Sequence, residues 1–396
     1  MTGGSVQRIG VEQRRARLAR RHHLAAEARA AEVVEVAHDL VAVHSTDAAS
    51  VYLGGWARMP GVEPAGIEKA LYKQRSLLRM LGMRRTVFVT PVESVPVVHA
   101  ACTSTVAVAE RRKLLQFVAQ SGITDDPAGW LAAAETATMQ ALSDRGEALA
   151  VELARDVPAL REQILVGVGS RWQGRVSAST RVLFLLAADG RVVRGRPRGS
   201  WISSQYRWAP TESWLPGGLP ELATEPARAE LARQWLRAYG PGTATDLRWW
   251  TGWTAGEVNR TLREIGPVEV DLDGRTGLLL ADDLAPEPPV EPWVALLPAL
   301  DSTPMGWTGR EWFLGEHGPA VFDRSGNIGP TVWWDSRVVG GWAHRRDGEV
   351  AFRLLEDLGA DAVAAVQAAA ARLAGWLGDA RVTPRFRTPL ERELTG

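Results

Sequence analysis

Cysteine is almost missing from this chain. Cys102 is the single one in 396 residues, which excludes an internal disulfide framework and a cysteine-clustered zinc site and fits a reducing cytoplasm. An excess of one charge is missing too, with 46 basic against 46 acidic side chains. There is no polybasic tail, so any polyanion must be met by a local patch. Apolar runs such as 182–188 fall far short of the roughly 20 residues a membrane-spanning helix needs. Arg8, Arg14, Arg15, Arg17, Arg20 and Arg21 are not followed by the apolar core of an export signal. No membrane partner is expected. Phosphate-cradling Gly-x-x-x-x-Gly-Lys-Ser/Thr and strand-bounded Gly-x-Gly-x-x-Gly loops are absent, which removes nucleotide-driven motors and dinucleotide enzymes. His22 and His23 sit among arginines, and His99, His317 and His344 have no partner at ligand spacing, so neither a metal nor another cofactor is expected.

What is present is most telling at 238–253, AYGPGTATDLRWWTGW. A Gly-Pro stop precedes a Thr-x-x-Asp helix start and a tight tryptophan-rich turn, the wording of a helix-turn-helix. The chain divides into comparable pieces around it. Residues 1–142 read as a first winged-helix unit with N-terminal helices and a helical connector. In it Val33, Val36, Ala37, Leu40 and Val43 form the apolar stripe of a helix over 30–43. Further helices are expected over 51–59 and 64–81, then a strand at 86–90. A second unit, 143–224, is expected to hold helices 147–155, 158–166 and 178–187 and a wing of strands 191–196 and 201–208. The third, 225–290, closes with a hairpin turned at Asp273-Gly274. An acidic, proline-rich stretch at 281–292 marks a boundary. Beyond it, 291–396 shows short strands (294–297, 320–322, 331–334, 338–342, 350–354) and a helix over 360–377. The fold class is therefore α+β, with three tandem winged-helix units followed by a small C-terminal β-barrel with a terminal helix.

Between 161 and 210 nine arginines face only Glu162 and Asp189, a local excess of seven positive charges. Arg191, Arg194, Arg196 and Arg198 lie in the expected wing, where planar guanidiniums can meet phosphate oxygens; solubility is the plainer explanation of such a wing. Most of the seventeen tryptophans should be core or interdomain wedges, because indole is chiefly apolar surface. Trp249 and Trp250 are nonetheless candidates for DNA contact. The tetrad His44-Ser45-Thr46-Asp47 brings an imidazole, two hydroxyls and a carboxylate within one turn, although Ser-Thr-Asp after a helix commonly caps the next helix.

Four stretches carry a resemblance: LVAVHSTD with YLGGWAR (40–58), LLRMLGMRRTVFV (77–89), AYGPGTATDLRWWTGW (238–253) and LPALDSTPMGW (297–307). Together they resemble the AlkZ- and YcaQ-like winged-helix DNA glycosylases over nearly the whole chain. The resemblance implies tandem winged helices and a C-terminal β-barrel in a DNA-holding crescent. It also implies excision of alkylated bases, including bulky adducts and interstrand crosslinks made by genotoxic natural products, with self-resistance as a setting. The family's Gln-x-Gln or Gln-x-Asp falls on His44-Ser45-Thr46, so both glutamines are replaced. Its Arg-Gly-Thr-Leu-His appears as Arg84-Arg85-Thr86-Val87-Phe88, keeping Arg84 and Thr86. By this resemblance His44 would take a proton from, or orient, the attacking water, Thr46 would hold that water, and Asp47 would stabilise the sugar cation. Arg84, Arg85, Thr86 and the wing arginines would contact DNA. The expectation is a monomeric, monofunctional glycosylase acting on double-stranded DNA with alkylated purines, cytoplasmic and nucleoid-associated. The alternative is a winged-helix DNA-binding protein without catalysis, a regulator or a damage shield.

Overall fold

The computed structural model describes residues 6–396. Helix α1 (Val11–Arg21) leads to α2 (Val33–Asp39), which buries Val33, Val36 and Ala37. The chain then reverses through Val41, at a positive φ of 64°, into the short strand β1 (Val43–His44). Helices α3 (Ala48–Trp56) and α4 (Pro64–Glu68) follow, then strands β2 (Leu77–Leu81) and β3 (Val87–Pro91). Strand β3 is central, with β1 and β2 antiparallel on its two sides. The helix expected over 64–81 is corrected: helical winding ends at Lys73, Arg75 takes a left-handed φ of 55°, and 77–81 pairs with β3. An apolar run buried in a sheet is hard to tell from a helix face by periodicity.

Residues Val92–Gln120 run as one apolar helix that includes α5 (Val95–Val98) and α6 (Ser104–Gln120). By length and composition it could cross a membrane, contrary to the expectation that no run approaches that length, but it carries Glu110, Arg111, Arg112 and Lys113 and packs against its neighbours. After α7 (Pro127–Arg145) come β4 (Ala148–Leu149), α8 (Ala150–Asp156), the hairpin β5 (Gln163–Val166) and β6 (Gly174–Ser177), α9 (Ala178–Ala188), β7 (Val192–Pro197) and β8 (Tyr206–Pro210). The helix expected over 158–166 is thus largely the first arm of a hairpin, in which Ile164 and Val166 alternate into the core. Next are α10 (Thr224–Tyr239), α11 (Ala244–Thr251), α12 (Ala255–Ile265), β9 (Val268–Asp271) and β10 (Thr276–Leu279).

One order recurs three times: helix, strand, helix, helix, strand, strand, with the first strand paired to the last. The pairs are β1 with β3, β4 with β8, and a single bridge from Gly242 to Leu278 of β10. The second copy alone inserts the β5–β6 hairpin.

The C-terminal region holds β11 (Val294–Leu297), α13 (Glu311–Leu314), α14 (Gly318–Val321), β12 (Thr331–Trp334), β13 (Arg337–His344), β14 (Val350–Leu354), α15 (Ala360–Leu377) and α16 (Pro389–Thr395). Its strands form an open sheet in the order β11-β12-β13-β14. The expected barrel is therefore corrected, as is the strand at 320–322, where α14 and a bridge from Phe322 to Ile328 stand instead. Closure has nothing left to bury. Val366, Ala369 and Leu373 of α15 cover one face against Leu296, Val332 and Val339, while Leu297, Trp333 and Val338 enter the main core on the other.

That main core runs from Leu18 to Leu394 and joins α1, α10, α11 and the C-terminal sheet; a second, from Leu114 to Val192, belongs to the second copy. Nine of the seventeen tryptophans are buried, as their bulk leads one to expect. The acidic stretch at 281–292 lacks regular structure but is pinned by α1, with Asp283 taking Arg17 and Arg21 and Glu287 taking Gln13 and Arg21.

Candidate active site and nucleic-acid interface

Three of the sequence motifs, at 40–58, 238–253 and 297–307, meet in space behind β1. Arg58 and Asp301 form a bidentate pair at 2.9 and 2.7 Å, only 1% and 3% exposed. The same guanidinium gives hydrogen bonds to the carbonyls of His22 and Gly54 and to Thr303 Oγ1. Ser302 Oγ accepts the His44 N–H at 3.0 Å and donates to Ala42 O at 2.9 Å, and Tyr239 donates to Leu40 O. Residues 40–58, 239 and 301–303 thus fix β1 from behind.

His44 is 2% exposed, with its ring edge-on to Phe88. Burial, aided by the charge of Arg84, pushes its pKa down to about 3. The neutral ring accepts the Thr46 N–H on Nδ1 at 3.4 Å, which leaves the ring proton on Nε2. The imidazole expected to take a proton from, or orient, water thus has its Nδ1 engaged by Thr46 and its ring buried against Phe88. Thr46 is half-buried, and its Oγ1 accepts the Val87 N–H at 3.2 Å. Asp47 caps α3 by accepting the Ala49 N–H and also accepts the Arg385 N–H at 2.9 Å; burial raises its pKa against those bonds.

Ser45 and Thr46 open onto a cavity of about 500 Å³ whose other walls include Val87, Arg194, Arg198, Tyr206, Trp208 and Arg385. That size falls within the roughly 300–1,000 Å³ of small-ligand sites. No acidic residue lines it. Behind Ser45 lies Arg79, 3% exposed, whose Nε donates to Ser45 Oγ at 2.7 Å and Nη1 to Tyr72 OH at 2.8 Å, with the Tyr206 ring 4.5 Å away. No carboxylate pairs with it among the described residues. The Tyr206 hydroxyl is buried without a partner. Sequence reasoning missed Arg79, Tyr206 and Arg385. A lone arginine inside the strand LLRML was the available signal for the first.

The expected DNA contacts divide. Arg194 and Arg198 line the cavity, and burial brings Arg194 down to about 10 over the Trp208 ring. Arg191 instead meets Glu135 at 3.3 Å and Arg196 meets Glu68 at 2.6 Å, while Arg85 pairs with Glu110. Thr86 donates to Met83 O within its own turn. Trp250 is 2% exposed in the main core, whereas Trp249 is half-buried and carries Arg84 and Arg310 on its ring.

His22 and His23 are no loose basic tail. His22 is fully buried between Thr303 Oγ1 and Ala238 O. Donor atoms of His23, Glu35 and Asp39 lie within 4.8 Å of one another, but His23 is spent on Ala28 O and Asp39, and Glu35 accepts the Ala31 N–H. They act as a brace within the fold.

Burial holds the pKa of both His22 and His44 below the ordinary value. Unfolded, both would gain a proton as pH falls through about 6.5, so the unfolded chain binds more protons and the fold loses stability from there downward. Urea midpoints should drop steadily from pH 7 to pH 5, by up to about 1.4 kcal/mol per pH unit for each histidine. A flat midpoint over that interval contradicts the burial of neutral rings.

An arginine-lined cavity beside a helix cap, in a chain that repeats one helix-and-sheet unit, marks a protein that handles a polyanion. The profile described as DNA glycosylase AlkZ-like matches residues 37–376, and the chain belongs to the AlkZ-like DNA glycosylase family, N-glycosyl hydrolases whose substrate is DNA. Among solved structures, Streptomyces sahachiroi DNA glycosylase AlkZ is similar, with a TM-score of 0.72 and 22% identity over 96% of this chain and 100% of that one. That likeness is one of fold. No curated protein matches the chain.

Proposed function

We propose that this protein hydrolyses the N-glycosidic bond of alkylated purines in duplex DNA, at N7 or N3 and with bulky or crosslinked adducts included, acting as a monofunctional monomer. The observation that supports it best is the arginine-lined cavity opening beside Thr46. We read the three repeats as winged-helix units along which a duplex lies. An extruded nucleotide would enter the cavity, with Arg194 and Arg198 on its phosphates. Self-resistance against a genotoxin would suit such a substrate range.

A purine alkylated at N7 or N3 is cationic and leaves as a neutral base, so the enzyme need only place water and stabilise the sugar cation. Thr46 spends one lone pair on Val87 and keeps its hydroxyl hydrogen for that water. Asp47, held between two backbone N–H groups, supplies negative charge next to it. His44 acts through Thr46, as a positioning residue. None of Lys69, Lys73 and Lys113 lines the cavity, which favours hydrolysis by water over an amine-linked lyase step.

The test is incubation with duplexes carrying N7-methylguanine or a bulky N7 adduct, scored as alkali-labile sites. His44→Ala should slow excision roughly ten- to a hundred-fold by loosening Thr46. His44→Asn, whose amide oxygen can take the place of Nδ1, should recover most of it; equal rates for alanine and histidine remove the role. The sealed imidazole favours one other possibility, a damage-binding protein without excision, and a full adduct panel with binding but no strand breaks would establish it. For the interface, Arg198→Gln should make log affinity against log salt less steep by about one, equally for damaged and intact duplexes. An unchanged slope takes Arg198 off the contact surface.

A further inference from the structure

Two guanidiniums lie on one indole. Arg84 stands 3.9 Å and Arg310 4.5 Å from the Trp249 ring centroid, and Arg310 also lies 4.7 Å from that of Phe322. The arrangement is enforced by the backbone. Arg84 and Arg85 both take left-handed conformations, at φ 51° and 60°, in the turn between β2 and β3, a geometry that non-glycine residues adopt rarely. Gly252, which ends α11 at a left-handed φ of 79°, lies directly against the Arg84 backbone.

Neither cation has a carboxylate within ion-pair distance among the described residues. Asp246 attracts Arg310 from further off, but its Oδ2 accepts from Thr243 and its Oδ1 from the Thr308 and Gly309 N–H groups. Glu311 reaches toward Arg275. Arg310 donates from Nε to Trp307 O at 2.7 Å, and Arg84 Nε is buried with no partner. Both guanidiniums are half-buried, and burial plus the charge of Arg310 brings Arg84 down to about 10. Two like charges with lost hydration and no counter-charge are costly unless an anion completes them. The indole, engaged by two cations, is a spacer here and no platform for a base.

We propose that Arg84 and Arg310, spaced by Trp249, form a clamp for one phosphodiester of the duplex, beside the strand pair that carries His44 and Thr46. Proximity to that pair is visible in the charge of Arg84, which reaches His44, and in Val87, which follows the same turn and both holds Thr46 and lines the cavity. The clamp rests on the duplex-holding part of the proposed function, and its test does not require excision. Arg310 carries no expectation from the sequence motifs.

Binding of an undamaged duplex would be followed by fluorescence anisotropy across a salt series. With Arg310→Gln the slope of log affinity against log salt should become less steep by about one. A scan of single neutral methylphosphonates should find one position that weakens the wild-type protein several-fold and becomes silent in the variant. Arg84→Gln, at a side chain without hydrogen bonds to the fold, should silence the same position and serves if Arg310→Gln does not fold. Folded variants that keep the wild-type slope and phosphonate pattern overturn the clamp. If the clamp behaves as expected and no adduct is excised, the enzymatic proposal falls alone; a wild-type protein that does not bind duplex overturns both.

Discussion

Thr46→Val will lower excision of an N7-alkylated purine ~100-fold or more while duplex affinity stays within about twofold, a loss of the size seen when one donor aimed at the reacting centre is removed. Valine keeps the shape of the side chain and deletes the half-buried Thr46 hydroxyl, which opens onto the cavity with a hydrogen to give. It also strips the Val87 N–H of its acceptor, at a cost to stability of about 1–3 kcal/mol, so a thermal melt must accompany the rate. Thr46→Ser separates the two effects: it restores the hydroxyl without the methyl and should return the rate to within about tenfold of the wild type. If the valine protein excises at the wild-type rate, the water-holding role of Thr46 is gone, and the neighbouring Ser45, anchored on Arg79, becomes the hydroxyl to test.

The largest expected stability change lies behind the site. Asp301→Ala leaves Arg58 charged and buried, and breaking one side of such a pair typically costs about 3–5 kcal/mol. Arg58→Ala should cost as much, since it also removes the donors to His22 O, Gly54 O and Thr303. The paired change of both residues to apolar side chains should cost less than the sum of the two single ones, because no lone charge remains. Calorimetry checks this with one further expectation: loss in Asp301→Ala should fall on the unit containing the main core, while any separate transition of the 114–192 core stays put. An Asp301→Ala protein with unshifted melting would mean that the pair is far more hydrated than its 1% and 3% exposure indicates.

Much of this molecule was readable from its residues, and the failures have physical causes. The helical pair after Gly240-Pro241 was legible because Thr243 with Asp246 and Thr254 with Glu257 are reciprocal caps that act locally. Segments 77–81 and 163–166 were read as helix because their apolar residues satisfy either period once both faces of a strand are covered, and only pairing with a distant partner decides. The barrel failed for a related reason: four of the five expected strands form, but a terminal helix and the main core cover both faces of their sheet. At the site, the tetrad was legible as a cluster of polar side chains, while the surroundings of each were not. Whether an imidazole is open or sealed depends on Phe88 and Ser302, one on the neighbouring strand and one far along the chain. The arginine wing split for the same reason, since Glu68 and Glu135, which take Arg196 and Arg191, are remote in sequence.

The uneven reach of the two cores has a consequence for biosynthesis. Residues 114–192 can close as soon as they clear the ribosome, whereas α1 must wait for Asp283 and the strands beyond it before its buried Arg17 finds a counter-charge. At roughly 5–20 residues per second, that leaves α1 unsatisfied for tens of seconds or so in the growing nascent chain. Chaperone dependence should therefore concentrate on α1, whose partners are made long after it.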